Sequence, residues 1–264
     1  GRLLAGAFVA AACAALGACA SNARPRVDSP FPDQPSFKPH PKEAAKYNVE
    51  LGIAYMQRGE LAVAKDKLDR AVKEDPHDPE VHSARALLDE RLGNLEQADR
   101  EFREALRLAP SDPDIANNYA VYLCRNHHVD EGVKRLLATA RNPLYATPEA
   151  AYTNAAVCLR SEHRDAEAKR ELENALALRP GFAEAVFQLA DLEMQQGELR
   201  DARARIDHYI QTYTATPDLL ALGVRISRAL HDPLGVQRFE QRLRVDFPSS
   251  PQTQALAGPT TNPG

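Results

Sequence analysis

The sequence predicts an all-α solenoid, a stack of five to six helix-turn-helix repeats wound as a right-handed superhelix. One observation is a small side chain that returns at a nearly constant interval, at Ala64, Ala98, Gly132, Ala168, Ala202 and Val236. Such spacing is typical of helix pairs that bury their apolar faces only by stacking on their neighbours. The other is composition: 44% of the residues are apolar, only 6% are aromatic, and tryptophan is absent, which favours helices packed through Ala and Leu.

Residues 1–18 have the pattern of a secretory signal. Arg2 precedes an apolar run of about a dozen residues, which is shorter than the roughly 20 residues of a membrane-spanning helix. Because the sequence starts at Gly1, we expect the beginning of the signal to lie upstream. Leu16, Gly17 and Ala18 stand directly before Cys19 and resemble the lipobox of bacterial lipoproteins. Cys13 is the alternative processing site, but it has no leucine before it.

The lipobox resemblance implies that Cys19 is acylated and anchors the protein to a membrane. Ala20, rather than Asp, at the next position implies sorting to the outer membrane, on its periplasmic face. Residues 19–42 are rich in proline, so we expect an extended linker that spans up to roughly 70 Å at about 3.1 Å per residue. Residues 249–264 carry further prolines and are predicted to be a disordered tail.

The helical array is predicted over residues 43–248. Its repeats are assigned to 45–78, 79–112, 113–148, 149–182 and 183–216, with a degenerate sixth unit over 217–248. In the first repeat, Leu51, Gly52 and Tyr55 mark one face of the first helix, and Ala64, Leu68 and Ala71 mark the second. This pattern resembles the tetratricopeptide repeat.

Three histidines are predicted to turn the chain inside a repeat. His127, His163 and His231 stand where other repeats have a glycine such as Gly59. That position requires a positive φ, which glycine adopts freely and histidine tolerates better than most residues. A metal site at His127 and His128 is the alternative. Neighbouring turn residues point apart, and no cysteine or carboxylate stands at ligand spacing, so no metal is expected.

Charge and motifs argue against other function classes. The sequence contains no Gly-x-Ser-x-Gly, no Gly-rich phosphate loop ending in Lys-Ser or Lys-Thr, and no His-Glu-x-x-His. We therefore expect no catalytic residues, no cofactor and no small-molecule substrate. The net charge of −4, without a basic stripe, argues against nucleic-acid binding.

Two cysteines lie within the array. Cys124 and Cys158 are 34 residues apart, near the ends of the first helices of consecutive repeats, so they are expected to be neighbours. In an exported protein they can form a disulfide. The alternative, two buried free thiols serving as small apolar side chains, stays open at this stage.

The segments around these cysteines resemble a more specific family. They are residues 117–124 (NNYAVYLC), 142–145 (NPLY) and 154–158 (NAAVC), which are similar to the signature of the type IV pilus biogenesis and stability lipoproteins, the PilF or PilW family. The resemblance implies a pilotin, an outer-membrane lipoprotein adaptor that helps the type IV pilus secretin assemble or reach the outer membrane, and so supports twitching motility. It also implies that Cys19 is the lipid anchor and that Cys124 and Cys158 form a structural bridge.

A partner groove is predicted along the concave side, which the first helices line. The candidate residues are Val49, Ile53, Met56, Asn118, Asn154, Phe187 and Met194. Core packing is the alternative for the apolar residues, and hydrogen bonding between repeats is the alternative for the two asparagines. The alternative function is a periplasmic scaffold or chaperone for another envelope machine, such as barrel assembly, peptidoglycan synthesis or hydrolase regulation.

Overall fold

The computed structural model describes residues 40–256, in which the chain forms thirteen α-helices and no strand. The prediction of an all-helical array is confirmed. Twelve of the helices form six consecutive pairs, and a short helix follows them. The bounds are α1 Pro41–Gln57, α2 Leu61–Glu74, α3 Pro79–Arg91, α4 Leu95–Leu108, α5 Pro113–Arg125, α6 Val129–Ala140, α7 Pro148–Ser161, α8 Asp165–Leu178, α9 Ala183–Gln195, α10 Leu199–Thr212, α11 Pro217–Ala229, α12 Pro233–Asp246 and α13 Pro251–Leu256.

The pairs stack in chain order and form two layers. Each first helix packs on its own second helix and on the first helix of the next pair, and each second helix packs on the following first helix. Within residues 40–256, the backbones of neighbouring second helices stay farther apart than those of the first helices, although side chains such as Arg238 of α12 and Asp207 of α10 still meet. Because the backbones of the first helices approach one another most closely, the array curves toward them, and the inner layer consists of α1, α3, α5, α7, α9 and α11.

Small residues lie where the two helices of a pair cross. On the second helices, Ala64, Ala98, Ala168 and Ala202 are completely buried. On the inner helix of the first pair, a Cβ added at Gly52 would lie 2.7 Å from Cγ of Leu68, too close without a shift. The predicted role of the recurring small residues is therefore confirmed for these repeats.

The sixth pair corrects one part of that prediction. Val236, chosen by interval, is half-buried, whereas Gly235 is the buried small residue of α12. Phe239, one helical turn further on, packs on Gly223 so closely that a Cβ there would lie 2.7 Å from the ring. The sixth unit is therefore a packed helix pair in which the buried small residue of the second helix lies one residue before the position that the repeat interval gives.

The turns inside the pairs have the predicted backbone conformation. Gly59, Gly93 and Gly197 have φ near 80°, and His127, His163 and His231 have φ of 64°, 56° and 55°. The prediction that these histidines replace a turn glycine is confirmed.

The two ends of the array differ from the predicted boundaries. Helix α1 begins at Pro41, two residues inside the predicted linker. At the other end, disorder from residue 249 is wrong for residues 251–256, which form α13. The Thr253 hydroxyl donates to the Phe247 carbonyl oxygen at 2.7 Å, and Leu256 packs on the last helix pairs. The predicted signal, Cys19, Ala20 and the linker up to residue 39 lie outside the described residues, as do residues 257–264.

A disulfide joins Cys124 of α5 to Cys158 of α7, with 5.5 Å between their Cα atoms. The structure therefore contains the disulfide, and not the alternative of two buried free thiols. Closing a loop of this length stabilises a protein by about 3–4 kcal/mol in the chain-entropy description. The bond also fixes two inner helices side by side.

None of the helices in residues 40–256 combines the length and the apolar character needed to cross a bilayer.

Replacing Gly132 by Ala should destabilise the protein. The new Cβ would lie 2.9 Å from the Ala120 carbonyl oxygen and would also collide with Sγ of the disulfide-bonded Cys124. We expect the free energy of unfolding to fall by about 1–3 kcal/mol, measured by urea denaturation. A gain in stability, as helix propensity alone would give, would contradict this close approach.

Replacing His163 by Gly should stabilise the protein. At φ of 56° the histidine backbone is strained, whereas glycine is not. The greater freedom of glycine in the unfolded chain offsets part of this gain, so we expect about 0.5–1 kcal/mol. The matched control is Gly197→His in the fifth repeat, which should lower stability by a similar amount in the same denaturation assay.

Candidate protein-binding site

An apolar stripe runs along the inner layer. Ile53, Leu87, Val121 and Val157 occupy the same place in the first four repeats, on α1, α3, α5 and α7. The first three are half-buried, and Val157 is 44% exposed. We call these four residues the inner stripe. Their side chains have the character of a shallow apolar contact surface for a protein segment.

The inner stripe contains a depression of about 160 Å³ between its last two residues, Val121 and Val157. It is lined by residues of α5 and α7 and by no residue of a second helix: Val121, Cys124, Arg125, Asn154, Val157, Cys158 and Ser161. Because the disulfide forms part of its wall, the separation of the two helices here is covalently fixed. The depression is large enough for an apolar side chain of a partner.

An ion cluster takes the place of the stripe in the last two repeats. Asp191 and Arg225 occupy the same place in α9 and α11 as the stripe residues do in earlier helices. One carboxylate oxygen of Asp191 accepts a hydrogen bond from the Arg160 guanidinium at 2.7 Å. The other oxygen lies 3.3 Å from a guanidinium nitrogen of Arg225. The Gln195 amide also donates to Asp191, at 2.7 Å. This ion cluster of Arg160, Asp191 and Arg225 therefore closes the apolar surface at α7.

Arginines near the carboxyl ends of the inner helices tie neighbouring helices together. Arg91 of α3 donates to the Met56 carbonyl oxygen of α1 at 2.6 Å. Arg125 of α5 contacts Glu90 of α3 at 3.4 Å. Together with the disulfide, these bonds hold one edge of the inner layer in a defined arrangement.

The groove prediction is wrong for two of its residues. Val49 and Met56 are only 5% and 3% exposed and belong to the core of the first two repeats. Their spacing on α1 is helical, but they face the neighbouring helices. Ile53, between them in sequence, is half-buried and lies in the inner stripe.

The other predicted groove residues are partly accessible. Asn154 lines the depression and donates to the Asn117 side chain at 3.1 Å, which is the hydrogen bonding between repeats that the sequence left open. Asn118 is half-buried on α5 and does not line the depression. Phe187 and Met194 are half-buried and pack on the core of the last two pairs, beyond the inner stripe.

Sequence reasoning missed Leu87, Val121 and Val157. The signal that identifies them is the repeat interval counted from Ile53, because 34, 34 and 36 residues lead to one branched apolar side chain per repeat. The interval that marks the small core residues therefore also marks the inner stripe.

A larger depression lies between α4, α5 and α6, and its lining residues form no arrangement suited to catalysis. It measures about 530 Å³ and is lined mainly by α4 and the turn after α5. Its Asp99 is held by the Tyr119 hydroxyl at 2.8 Å and by Arg103 at 2.8 Å. Burial, together with the nearby Asp99 carboxylate, raises the pKa of Tyr119 to about 12. Arg103 therefore neutralises the Asp99 carboxylate, and the Tyr119 hydroxyl stays protonated at neutral pH.

The pair His127 and His128 borders this depression. Among residues 40–256, no three His, Cys, Asp or Glu side chains are grouped as metal ligands.

Two family models described as tetratricopeptide repeat match residues 49–113 and 159–226. The chain is also similar to the type IV pilus assembly protein PilF of Pseudomonas aeruginosa. The two sequences are 27% identical over 212 residues, which cover 80% of this chain and 84% of PilF.

Two solved structures have a similar arrangement of helices. A structure of PilF from Pseudomonas aeruginosa is 26% identical, with a TM-score of 0.61, and the match covers 82% of this chain and 98% of PilF. The crystal structure of PilW, described as a widely conserved type IV pilus biogenesis factor, is 28% identical, with a TM-score of 0.63 and coverage of 81% and 99%. These matches extend far beyond a single repeat. The chain belongs to the tetratricopeptide-repeat proteins and is a homologue of the type IV pilus biogenesis proteins PilF and PilW.

Proposed function

We propose that this protein is a pilotin, an outer-membrane lipoprotein that promotes assembly or outer-membrane localisation of the type IV pilus secretin. Homology to PilF and PilW supports a place in pilus biogenesis. The observation that carries the proposal is the inner stripe, an apolar surface repeated over four helices and open to a partner. Tetratricopeptide-repeat scaffolds typically bind proteins and do not catalyse reactions.

The dimensions of the inner stripe define the segment that it accepts. Packed helix axes lie about 8–10 Å apart, so four stripe residues span roughly three such intervals. Seven residues of an α-helix rise by about 10.5 Å, close to one interval. We therefore propose that the secretin contributes an amphipathic helix with apolar side chains at i, i+7, i+14 and i+21, lying across α1, α3, α5 and α7.

The ion cluster limits the length of that segment. An apolar side chain placed over Asp191 would remove water from a carboxylate and two arginines without replacing their hydrogen bonds, which is unfavourable. The bound helix should therefore end, or become polar, where it reaches α9.

Membrane attachment completes the proposal. The lipobox pattern before Cys19 supports acylation of that cysteine, and several acyl chains on one residue anchor a protein stably. The proline-rich linker would then place the inner layer away from the membrane, within reach of a secretin in the periplasm. We propose the periplasmic face of the outer membrane as the location.

Replacing Val157 by Glu should weaken secretin binding. The carboxylate would project into the depression beside the disulfide, where an apolar side chain of the partner is expected to lie. Because Val157 is 44% exposed, the fold should tolerate the change. We expect co-purification of the secretin and the amount of heat-resistant secretin multimers to fall about tenfold or more.

The matched control is Leu178→Glu, which alters a leucine of similar exposure at the end of the second helix α8. It should leave binding and multimers unchanged, and circular dichroism melting should show both variants folded. Unchanged secretin binding in a folded Val157→Glu protein would place the partner elsewhere. Normal multimers in a deletion strain would overturn the pilotin proposal itself.

Replacing Cys19 by Ala should separate attachment from recognition. Without the acylated cysteine, the processed protein should move from the outer-membrane fraction to the soluble periplasmic fraction. Its affinity for the purified secretin should not change, because the inner stripe is intact. Sucrose-gradient fractionation and a binding assay measure the two effects, and retention of the variant in the outer membrane would contradict the anchor.

A further inference from the structure

The first repeat exposes two apolar side chains at places that most later repeats bury. Tyr47 of α1 is 61% exposed, whereas its counterparts in the other five repeats are at most 3% exposed: Val81, Ile115, Ala151, Ala185 and Leu219. Leu51 is 45% exposed, whereas three of its counterparts, Tyr119, Ala155 and Leu189, are buried. In those repeats the second helix of the preceding pair covers the inner helix. No helix of residues 40–256 precedes α1 to do the same.

The exposed side of α1 carries charge at its two ends. At 3.6 residues per turn, Glu43, Tyr47, Leu51, Ala54 and Arg58 fall on one narrow stripe along the helix. We call these five residues the α1 face. Glu43 at its beginning and Arg58 at its end are both exposed, and neither forms an ion pair with another of residues 40–256.

Two copies of the α1 face are complementary when one helix is placed antiparallel to the other. Glu43 lies eight residues before Leu51, and Arg58 lies seven residues after it. If two α1 helices are placed antiparallel with a two-fold axis at Leu51, each Glu43 lies opposite the other copy's Arg58. Tyr47 and Ala54 then lie opposite each other, so a large side chain meets a small one, as packed helices require.

We propose that this protein self-associates through the α1 face, with α1 of one copy antiparallel to α1 of a second copy. The interface is isologous and closes at a dimer. Head-to-tail growth of the array is blocked because α13 packs against α11 and α12 at the opposite end. The occupant is therefore a second copy in the reversed orientation, which also pairs both charges.

The size of the interface sets the strength of association. One helix face buries less than about 1,600 Å², the typical area of a stable protein–protein interface. We therefore expect a weak dimer that dissociates on dilution. Attachment of both copies to one membrane would raise their local concentration and favour it.

Sedimentation velocity of the chain that begins at residue 20 tests the proposal from micromolar to near-millimolar concentration. We expect the weight-average mass to rise from monomer toward dimer. Leu51→Glu should weaken association about tenfold or more by placing two carboxylates at the two-fold axis. The matched control is Leu95→Glu, since Leu95 is 43% exposed on α4 and lies away from the α1 face.

A charge exchange distinguishes the antiparallel dimer from other contacts. Glu43→Arg and Arg58→Glu should each weaken association by placing like charges opposite each other. The double variant Glu43→Arg/Arg58→Glu should restore it. A protein that stays monomeric at the highest concentration, association that survives Leu51→Glu, or a double variant that stays as weak as the single ones would each overturn the proposal.

A cysteine at the axis provides an independent test. Leu51→Cys should form a disulfide-linked dimer under mild oxidation, because the two thiols meet at the two-fold axis. Leu95→Cys should stay largely monomeric under the same conditions. Equal cross-linking of the two variants would indicate random collision and contradict the proposed face.

Discussion

The close crossing of two helices within each pair is the constraint on which the rest of the structure depends. Fully buried alanines or glycines stand at the crossings, and a single added methyl group at Gly52 or Gly223 would collide with a side chain of the partner helix. This proximity leaves the first helices near enough to contact one another along the array. The inner layer, the inner stripe and the disulfide all follow from that contact.

The inner layer is held by bonds that run between repeats, and this bears on binding. The disulfide joins α5 to α7, Arg91 and Arg125 reach the preceding inner helices, and Arg160 reaches α9. A surface held in place loses little conformational freedom when a partner docks, so more of the contact energy appears as affinity. The third repeat shows a cost of this arrangement, since the Cys124 sulfur leaves no room for an alanine at position 132.

The repeat interval in the sequence predicts the helix pairs and their order, because core spacing in a solenoid is a local property. It also predicts the three turn histidines, since positive φ is demanded at one place in each repeat. The interval fails at Val236, where a shift of one residue rotates the buried face of α12 to Gly235. Val49 and Met56 were assigned to the groove because periodicity identifies an apolar face without telling whether a neighbouring helix covers it. Burial by the next repeat depends on the superhelix and is not visible in one helix.

The two ends of the array differ in a way that sequence periodicity does not reveal. At the carboxyl end, Thr253 and Leu256 of α13 pack on the last pair and cover it. At the amino end, Tyr47 and Leu51 stay open within residues 40–256. The place of Tyr47 is buried in all five other repeats, and that of Leu51 is buried in four of them. Within residues 40–256, the amino end is therefore the end at which further helices can stack. The inner stripe also begins on α1 and ends at the ion cluster, so the first repeat contributes to both apolar surfaces. A partner on the inner stripe and a second copy on the α1 face would contact different sides of the same helix, because Ile53 and Leu51 are about 200° apart around it.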